Sequence, residues 1–169
     1  QAAENMRQLI DDLLAYSRME RRDLTSHPVD LPEIVARLLD EFAAEIQAKN
    51  VDVQVKLPCK HLQADVETLS QVLRNLIGNA LKFTDKAPNP RVEIGGRLIV
   101  TGCELWVRDN GIGFDMRYQE RIFEIFQRLH RVEDYPGTGI GLAIVRKAMQ
   151  RMNGRVWAES EPGQGATFY

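Results

Sequence analysis

The sequence predicts an α/β fold with about five strands, three main helices and a further amphipathic helix at the amino terminus. Two observations support this prediction. Stretches with an apolar residue at every third or fourth position, typical of helices with one buried face, are interspersed with short stretches of apolar and polar alternation. The 169 residues, of which 44% are hydrophobic, are also enough for one substantial core, so we expect a single main domain.

The composition excludes several classes of partner. A formal net charge of −2 provides no general field that would attract nucleic acid, so no nucleic-acid partner is expected. No apolar stretch approaches the roughly 18 to 20 residues that span a bilayer, and the first residues lack a signal-peptide pattern, so we expect no membrane contact. Cys59 and Cys103 lie far apart without neighbouring metal ligands, which predicts free thiols in a reducing compartment and a cytoplasmic location.

The first predicted helix runs over residues 4–24. Its apolar residues recur at helical spacing: Met6, Leu9, Ile10, Leu13 and Leu14. This stripe fits a bundle with a second copy of the chain better than packing on the domain core, and both arrangements stay open. Thr25-Ser26-His27-Pro28 predicts a linker, so we divide the chain into a helix at 1–24, a linker at 25–30 and a globular domain at 31–169.

The globular domain is predicted to begin with a helix and a strand. Asp30, followed three residues later by Glu33, is typical of a capping box and opens a helix that extends to about Lys49. The alternation of apolar and polar residues from Val51 to Leu57 predicts the first strand.

A third helix is predicted from Asp65, which caps it, to about Thr84. One side of this helix is apolar, whereas Asn75, Asn79 and Lys82 follow one another on a polar side at intervals of four and three. An asparagine oxygen is a suitable ligand for Mg²⁺, and a lysine ammonium can pair with phosphate. A merely solvated helix face is the alternative explanation for these three residues.

A hairpin and a loop with two glycines follow. Strands at 91–100 and 104–108 are joined by a tight turn. The string Asp109-Asn110-Gly111-Ile112-Gly113-Phe114 then places a carboxylate at a strand end, beside glycines that let a ligand approach the backbone closely. Asp109 can accept a hydrogen bond from an amino group, although an aspartate turn that closes the strand explains the string equally well.

A second glycine string is the stronger signal. After a short predicted helix at 117–126 and a polar loop, Gly137-Thr138-Gly139-Ile140-Gly141-Leu142 stands directly before a helix that ends at Asn153-Gly154. Free backbone N–H groups and the positive end of the helix dipole suit a phosphate there. The string is neither a Walker loop nor a dinucleotide fingerprint, because its spacing differs. Two final strands at 155–159 and 166–169 are joined by a turn at Pro162-Gly163.

Taken in this order, the strings resemble the sequence boxes of histidine kinases. Residues 71–84 (QVLRNLIGNALKFT) resemble the asparagine box, and residues 109–114 resemble the first glycine box. Residues 122–126 (IFEIF) are similar to the phenylalanine box, and residues 137–142 and 163–168 to the second and third glycine boxes. The resemblance covers Val51 to Tyr169, and residues 13–18 (LLAYSR) resemble the second helix of the family's dimerisation domain. Residues 127–137 and 161–165 are similar to phytochrome-type kinases in particular.

The resemblance implies a fold and a reaction. The fold is a two-layer α/β sandwich, in which three helices cover one face of a mixed sheet of about five strands and ATP lies under a flexible lid. The reaction is that of a protein-histidine kinase, which transfers the γ-phosphate of Mg-ATP to a histidine upstream of this sequence. The resemblance further implies a homodimer through the amino-terminal helix, and a response regulator whose aspartate receives the phosphate.

The resemblance also implies roles for individual residues. Asp109 would accept a hydrogen bond from the adenine amino group, and Asn79 would hold Mg²⁺ against the triphosphate. Asn75, Lys82 and Arg128 would be the catalytic residues beside the phosphates, with Arg128 reaching the γ-phosphate from the lid. The complete ATP-binding set that the resemblance implies is Asn75, Asn79, Lys82, Phe83, Asp109, Gly111, Ile112, Gly113, Arg128, Gly137, Thr138, Gly139, Ile140, Gly141, Leu142 and Thr167.

None of the three histidines fits the acceptor role. His27 precedes a proline in the predicted linker, His61 precedes a strand-like stretch, and His130 lies in the lid. The family's acceptor stands in a His-Glu or His-Asp pair on the helix before Glu4, and no such pair occurs in this sequence. For His130, a solvent-exposed loop position is the simplest interpretation, with a phosphate contact as the alternative.

Two other functions are open alternatives. Hydrolytic ATPases of the same nucleotide fold, such as gyrase, the ninety-kilodalton heat-shock chaperones and mismatch-repair proteins, carry a glutamate where this chain has Asn75. An amide cannot take a proton from water, so Asn75 favours phosphate transfer over hydrolysis. A degenerate kinase that serves as a dimeric adaptor is the nonenzymatic alternative, which the complete set of nucleotide-binding residues disfavours.

Overall fold

The structure, a computed structural model, describes residues 2–129 and 135–169, with side chains from Met6 onward. Its helices are α1 (Ala2–Arg21), α2 (Leu31–Glu41), α3 (Ala43–Ala48), α4 (Val66–Phe83) and α5 (Gly141–Arg151). Its strands are β1 (His27–Asp30), β2 (Asp52–Lys56), β3 (His61–Ala64), β4 (Arg91–Ile99), β5 (Gly102–Asp109), β6 (Ala158–Glu161) and β7 (Gly165–Phe168). This order of elements confirms the predicted α/β class.

The main sheet has five strands in the order β2-β4-β5-β7-β6. β2 runs parallel to β4, and the other neighbouring strands are antiparallel, so the sheet is mixed as predicted. Alternation along the strands separates two faces. Val92, Ile94 and Val107 are buried in the core, whereas Glu93 and Arg108 lie between such positions on the opposite face. The apolar faces of α2, α4 and α5 bury into the same core, which gives the predicted two-layer sandwich.

Helix α4 lies at the centre of the helical layer. It begins after Asp65, whose carboxylate accepts a hydrogen bond from the backbone N–H of Thr68 at 2.9 Å, as the capping prediction requires. Leu69, Leu73 and Ile77 follow at intervals of four and pack in the core, with at most 5% of their surface exposed. The polar side that carries Asn75, Asn79 and Lys82 is therefore turned toward α5 and the loops before it.

Three local predictions differ from the structure. The predicted linker contains β1, which pairs antiparallel with β3 in a separate two-stranded sheet. In this pairing His27 lies opposite Ala64. The single helix predicted to reach Lys49 is divided at Phe42 into α2 and α3. The predicted helix at 117–126 consists of two short 3₁₀ turns, Met116–Tyr118 and Arg121–Phe123. The division of the chain at residue 24 stays a prediction.

The prediction of two free thiols is wrong in this structure. Cys59 and Cys103 form a disulfide, with their Cα atoms 6.6 Å apart. Cys59 follows β2, and Cys103 stands near the start of β5, two strands away in the same sheet. A sequence separation of 44 positions concealed the pairing, because only the sheet order brings the two thiols together.

Helix α1 packs against α5. Glu20 pairs with Lys147 at 2.8 Å, and the guanidinium of Arg151 donates to the backbone carbonyl of Met19. The opposite side of α1 is apolar and exposed, with 63% of Met6 and 56% of Ile10 accessible. Among the described residues, no helix is both long enough and apolar enough to cross a membrane.

Candidate functional site

A pocket of about 640 Å³ lies between α4, α5 and the two glycine strings. It brings together residues that are more than 60 positions apart in sequence, from Asn75 to Leu142. The predicted site residues that line it are Asn75, Asn79, Lys82, Phe83, Asp109, Ile112, Gly113, Arg128, Gly137, Thr138, Gly139, Gly141 and Leu142. The structure thus assembles most of the set that the resemblance implies.

Asp109 forms the carboxylate end of the pocket. It is the last residue of β5, and only 6% of its surface is exposed. Burial raises the pKa of this carboxyl to about 6, an effect that hydrogen bonds from the backbone N–H groups of Gly111 and Ala166 partly offset. The carboxylate is thereby held in place as a hydrogen-bond acceptor in an otherwise apolar part of the pocket.

The loop after Asp109 is pressed against neighbouring backbone. The N–H of Gly111 donates to the Asp109 carboxylate at 2.8 Å, and a Cβ at Gly111 would collide with the carbonyl oxygen of Phe83. Gly113 has a φ of 62°, and a Cβ there would collide with the carbonyl oxygen of Glu161. Both glycines are therefore required for the loop to close on α4 and β6.

Helix α4 supplies the polar side of the pocket. The side-chain amide of Asn75 donates to the carbonyl of Gln71 at 2.8 Å, which leaves its oxygen directed toward α5. A Cβ on Gly141 would lie 2.7 Å from that oxygen, so the glycine permits α5 to approach α4 at this point. Asn79 lines the pocket one turn further along, and Lys82 follows near its end.

Two cations, Lys82 and Arg128, lie near each other in the wall of the pocket. Burial, together with the nearby guanidinium of Arg128, lowers the pKa of Lys82 to about 8. Arg128 donates to the backbone carbonyls of Gly137 and Tyr135, the latter at 2.6 Å. These hydrogen bonds hold the Arg128 side chain against the backbone of residues 135–137, and its guanidinium lies near the Lys82 ammonium. An anion bound between them would relieve their mutual repulsion.

The second glycine string ends in the amino terminus of α5. Gly139 has a φ of 75°, and a Cβ there would lie 3.0 Å from the carbonyl oxygen of Gln127. The helix begins at Gly141 and has no side-chain cap, because the residue at the cap position is Ile140. The Thr138 hydroxyl accepts from the N–H of Ile140 at 3.4 Å. The first N–H groups of α5 therefore face the pocket without a capping side chain.

Three predicted residues do not line the pocket. Gly111 supports the pocket because its N–H donates to the Asp109 carboxylate, and Ile140 occupies the cap position of α5. Thr167 is placed elsewhere, since its hydroxyl accepts from the guanidinium of Arg108 at 3.1 Å on the opposite face of the sheet. Strand alternation is the reason, because Ala166 and Phe168 on either side of it line the pocket instead.

The histidines lie away from the pocket or outside the described residues. His27 and His61 are exposed residues of the small β1–β3 sheet, and neither lines the pocket. His130, for which a loop position or a phosphate contact was considered, falls in residues 130–134, outside the described residues.

Some pocket residues could not be assigned from the glycine and asparagine strings. Tyr135 is 4% exposed, and its ring centroid lies 5.3 Å from that of Phe83. The ammonium of Lys86 lies over the Tyr135 ring, 5.0 Å from its centroid. Gln8 and Asp12 of α1 also line the pocket. Tyr135 belongs to the tract with phytochrome-type similarity, which is the signal that points to it, whereas nothing in the α1 sequence pointed to Asp12.

The pocket suits a ligand that carries both an amino group and phosphates. A buried carboxylate acceptor, apolar side chains, two neighbouring cations and uncapped helical N–H groups line the same space. Within the described residues there is no group of three or more His, Cys, Asp or Glu side chains that could hold a metal alone. A divalent cation at the asparagines would therefore have to share its coordination with ligand phosphates, as Mg²⁺ commonly does.

Residues 64–169, which contain most of the residues that line the pocket, match the model of a known protein family. The model is that of the histidine kinase-, DNA gyrase B-, and HSP90-like ATPases. The chain belongs to this family. The phytochrome-like protein Cph1 of Synechocystis sp. (strain ATCC 27184 / PCC 6803 / Kazusa) is 40% identical over 166 residues, which are 97% of this chain and 22% of that protein. This ATPase chain thus spans about a fifth of the length of the curated relatives it matches.

Solved structures of histidine kinases share the fold of this ATPase domain. Full-length ShkA, solved in complex with AMPPNP, superposes with a TM-score of 0.82 at 30% identity, over 95% of this chain and 34% of that chain. The catalytic domain of histidine kinase ThkA superposes with a TM-score of 0.74 at 26% identity, over 86% of this chain and 93% of that chain. The similarity to ShkA includes α1, because its coverage extends over almost the entire chain.

Proposed function

We propose that this chain is the ATP-binding catalytic part of a sensor histidine kinase, which transfers the γ-phosphate of ATP to a histidine outside this sequence. One observation carries the proposal: a single pocket combines a buried carboxylate acceptor with two neighbouring cations and an uncapped helix start. This combination of groups suits adenosine triphosphate. The adenine amino group donates to Asp109, and the phosphates lie between Lys82, Arg128 and the start of α5.

A magnesium ion fits the donor set at the middle of the pocket. The side-chain oxygen of Asn79 would be a neutral ligand for this ion, and Asn75, one turn earlier on α4, would flank the phosphates. When bound, Mg²⁺ supplies charge neutralisation of the phosphates. The protein residues contribute the rest of the positioning, because Lys82 and Arg128 hold the terminal phosphates in line with the incoming nucleophile.

The nucleophile is a histidine nitrogen rather than water. It attacks the γ-phosphorus, the bond to the β–γ bridging oxygen breaks, and ADP leaves with that oxygen. Asn75 stands on the pocket wall where hydrolytic members of the fold carry a glutamate, and its amide cannot deprotonate water. This position of α4 therefore provides no base for hydrolysis, and the γ-phosphate is transferred to a stronger nucleophile than water.

The remaining partners follow from the same function. The exposed apolar side of α1, which carries Met6, Ile10, Leu13 and Leu14, pairs with the acceptor-bearing helix and with a second copy of the chain in a helical bundle. A response regulator receives the phosphate on an aspartate. We place this part of the protein in the cytoplasm, where ATP and such regulators are found. The cytoplasm keeps most cysteines reduced, whereas the structure pairs Cys59 with Cys103. A count of the free thiols in the native protein decides between these two states.

The nucleotide assignment is tested by replacing the buried carboxyl. Asp109→Asn keeps the shape of the side chain but presents an amide, so Mg-ATP binding is expected to fall at least about 30-fold while the fold is retained. Isothermal titration calorimetry measures the affinity, and thermal unfolding monitors the fold. Asp40→Asn, at an exposed position on α2, makes the same change of charge and should bind ATP like the parent chain. Equal affinities in all three proteins would contradict the proposed site.

A further inference from the structure

Helix α1 contributes a carboxylate to the nucleotide pocket. Asp12 is half-buried, and its Oδ2 accepts a hydrogen bond from the hydroxyl of Thr138 in the second glycine string. Its Oδ1 accepts from the side-chain amide of Gln8 at 2.9 Å, one turn earlier on the same helix. Both Gln8 and Asp12 line the pocket. The carboxylate is therefore held in one orientation, facing the glycine string.

The position of Asp12 is fixed by contacts elsewhere along α1. Glu20 pairs with Lys147 of α5 at 2.8 Å, and the guanidinium of Arg151 donates to the carbonyl of Met19. These two contacts lie about two turns from Asp12, and they hold the carboxy-terminal half of α1 along α5. Docking of α1 on α5 and insertion of Asp12 beside Thr138 are thus parts of one arrangement.

This arrangement opposes the binding of phosphates. The Thr138 hydroxyl stands two residues before the cap position of α5, where the proposed function places phosphate oxygens. A hydroxyl that donates to Asp12 cannot donate to a phosphate at the same time. The carboxylate also puts a negative charge at the positive end of α5, which lowers the electrostatic attraction for an anion there.

We propose that Asp12 is an inhibitory determinant of nucleotide affinity: with α1 docked on α5, its carboxylate competes with the phosphates for Thr138 and for the start of α5. The proposal rests on the proposed function, since it concerns the same pocket. By linkage, phosphate binding must weaken the docking of α1 by the same factor as docking weakens phosphate binding. Binding of ATP is thereby expected to release α1, the helix that leads toward the acceptor segment, from α5.

The competition is tested in the full chain with Asp12→Asn. The amide keeps the size of the side chain and removes the charge, so the affinity for ATP is expected to rise about three- to tenfold. The gain should be smaller for ADP and absent for adenosine, because it depends on the charge of the ligand. High ionic strength should reduce it. Asp11→Asn is the matched control, since Asp11 is the neighbouring exposed carboxylate on the same helix and should leave all three affinities unchanged.

Calorimetric titrations of the parent and both variants separate the outcomes. Tighter binding of ATP by the Asp12→Asn protein, graded from ATP to adenosine, supports the inference. Unchanged or weaker ATP binding by the Asp12→Asn protein overturns the inference. If the binding is weaker only when Mg²⁺ is present, Asp12 contributes to binding of the metal instead of opposing the phosphates. An equal gain in the Asp11→Asn protein also overturns it, because the effect would then reflect general charge. If none of the proteins binds ATP, the proposed function itself fails.

Discussion

Two titratable side chains of the pocket have pKa values that move toward neutrality from opposite directions. Burial raises the pKa of Asp109 to about 6, and burial beside Arg128 lowers the pKa of Lys82 to about 8. The proposed contacts need Asp109 deprotonated, to accept from adenine, and Lys82 protonated, to pair with phosphate. Both charge states coexist only in the interval between the two pKa values.

ATP affinity is therefore expected to be greatest between about pH 6 and pH 8 and to fall on both sides. Below this window Asp109 takes up a proton and no longer accepts from the adenine amino group. Above it Lys82 loses its proton and its attraction for phosphate. Calorimetric titration with Mg-ATP over a series of buffers measures the profile.

A variant and a second ligand show which residue causes the acid decline and which causes the alkaline decline in ATP affinity. Lys82→Arg should retain affinity at alkaline pH, because a guanidinium stays charged there. Adenosine should lose affinity at acid pH as ATP does, yet lack the alkaline decline, because it has no phosphate that could titrate or pair with Lys82. A decline at alkaline pH in the Lys82→Arg protein, or an adenosine affinity that is constant through pH 6, would contradict the assignments.

Individual site residues were predictable where a local pattern identifies them. Asp109, Asn75, Asn79 and Lys82 lie in short strings whose chemistry and spacing suggest a ligand, and the structure brings them to one pocket. The Thr167 hydroxyl lies on the strand face opposite the pocket, and its ATP contact stays a prediction, because the string that contains it does not reveal which strand face meets the ligand. Tyr135 and Asp12 enter the pocket through tertiary packing, which no local pattern encodes.

At the scale of elements, caps and periodicity were sufficient for the main helices. Asp30 and Asp65 cap α2 and α4 as predicted, and the β4–β5 hairpin lies where its turn residues indicated. The elements that could not be predicted depend on distant partners. β1 forms only because β3, more than 30 residues later, pairs with it, and the break at Phe42 has no proline or glycine to signal it.

The disulfide is the strongest long-range link between elements, and its removal has a measurable consequence. Reduction is expected to lower the free energy of unfolding by about 4 kcal/mol, because the bridge closes a long loop in the unfolded chain. The melting temperature in a strong reductant should accordingly fall by about 8 to 16 °C. The Cys59→Ser/Cys103→Ser double variant should match the reduced protein and be insensitive to reductant.

Differential scanning fluorimetry with and without reductant makes this comparison, and alkylation of the native protein under non-reducing conditions counts the free thiols. A melting temperature that reductant leaves unchanged in the parent chain, together with two alkylated cysteines, would show that the bridge does not form in solution. ATP affinity should change little on reduction, since neither Cys59 nor Cys103 lines the pocket.

At the scale of the whole molecule, the two-layer fold explains why one pocket collects residues from most of the chain. The sheet presents Asp109 at the end of β5, α4 presents the asparagines and Lys82, and α5 begins where these meet. The order of helices and strands made this class predictable, whereas the docking of α1 on α5 was not, since most of the α1 apolar stripe is exposed and the contacts with α5 include an ion pair. Under the proposed function, this fold holds the phosphate donor, and a histidine outside this sequence accepts the phosphate.

The central claim is that this chain donates a phosphate to a histidine it does not contain. Incubation with ATP labelled at the γ-phosphate, alone and with a separate peptide segment that carries the helix and the acceptor histidine, tests it most directly. We expect no acid-labile label on this chain alone, label on the histidine segment when both are present, and none with the Asp109→Asn protein. Robust labelling of this chain alone, or ATP hydrolysis with no labelled histidine segment, would contradict the account.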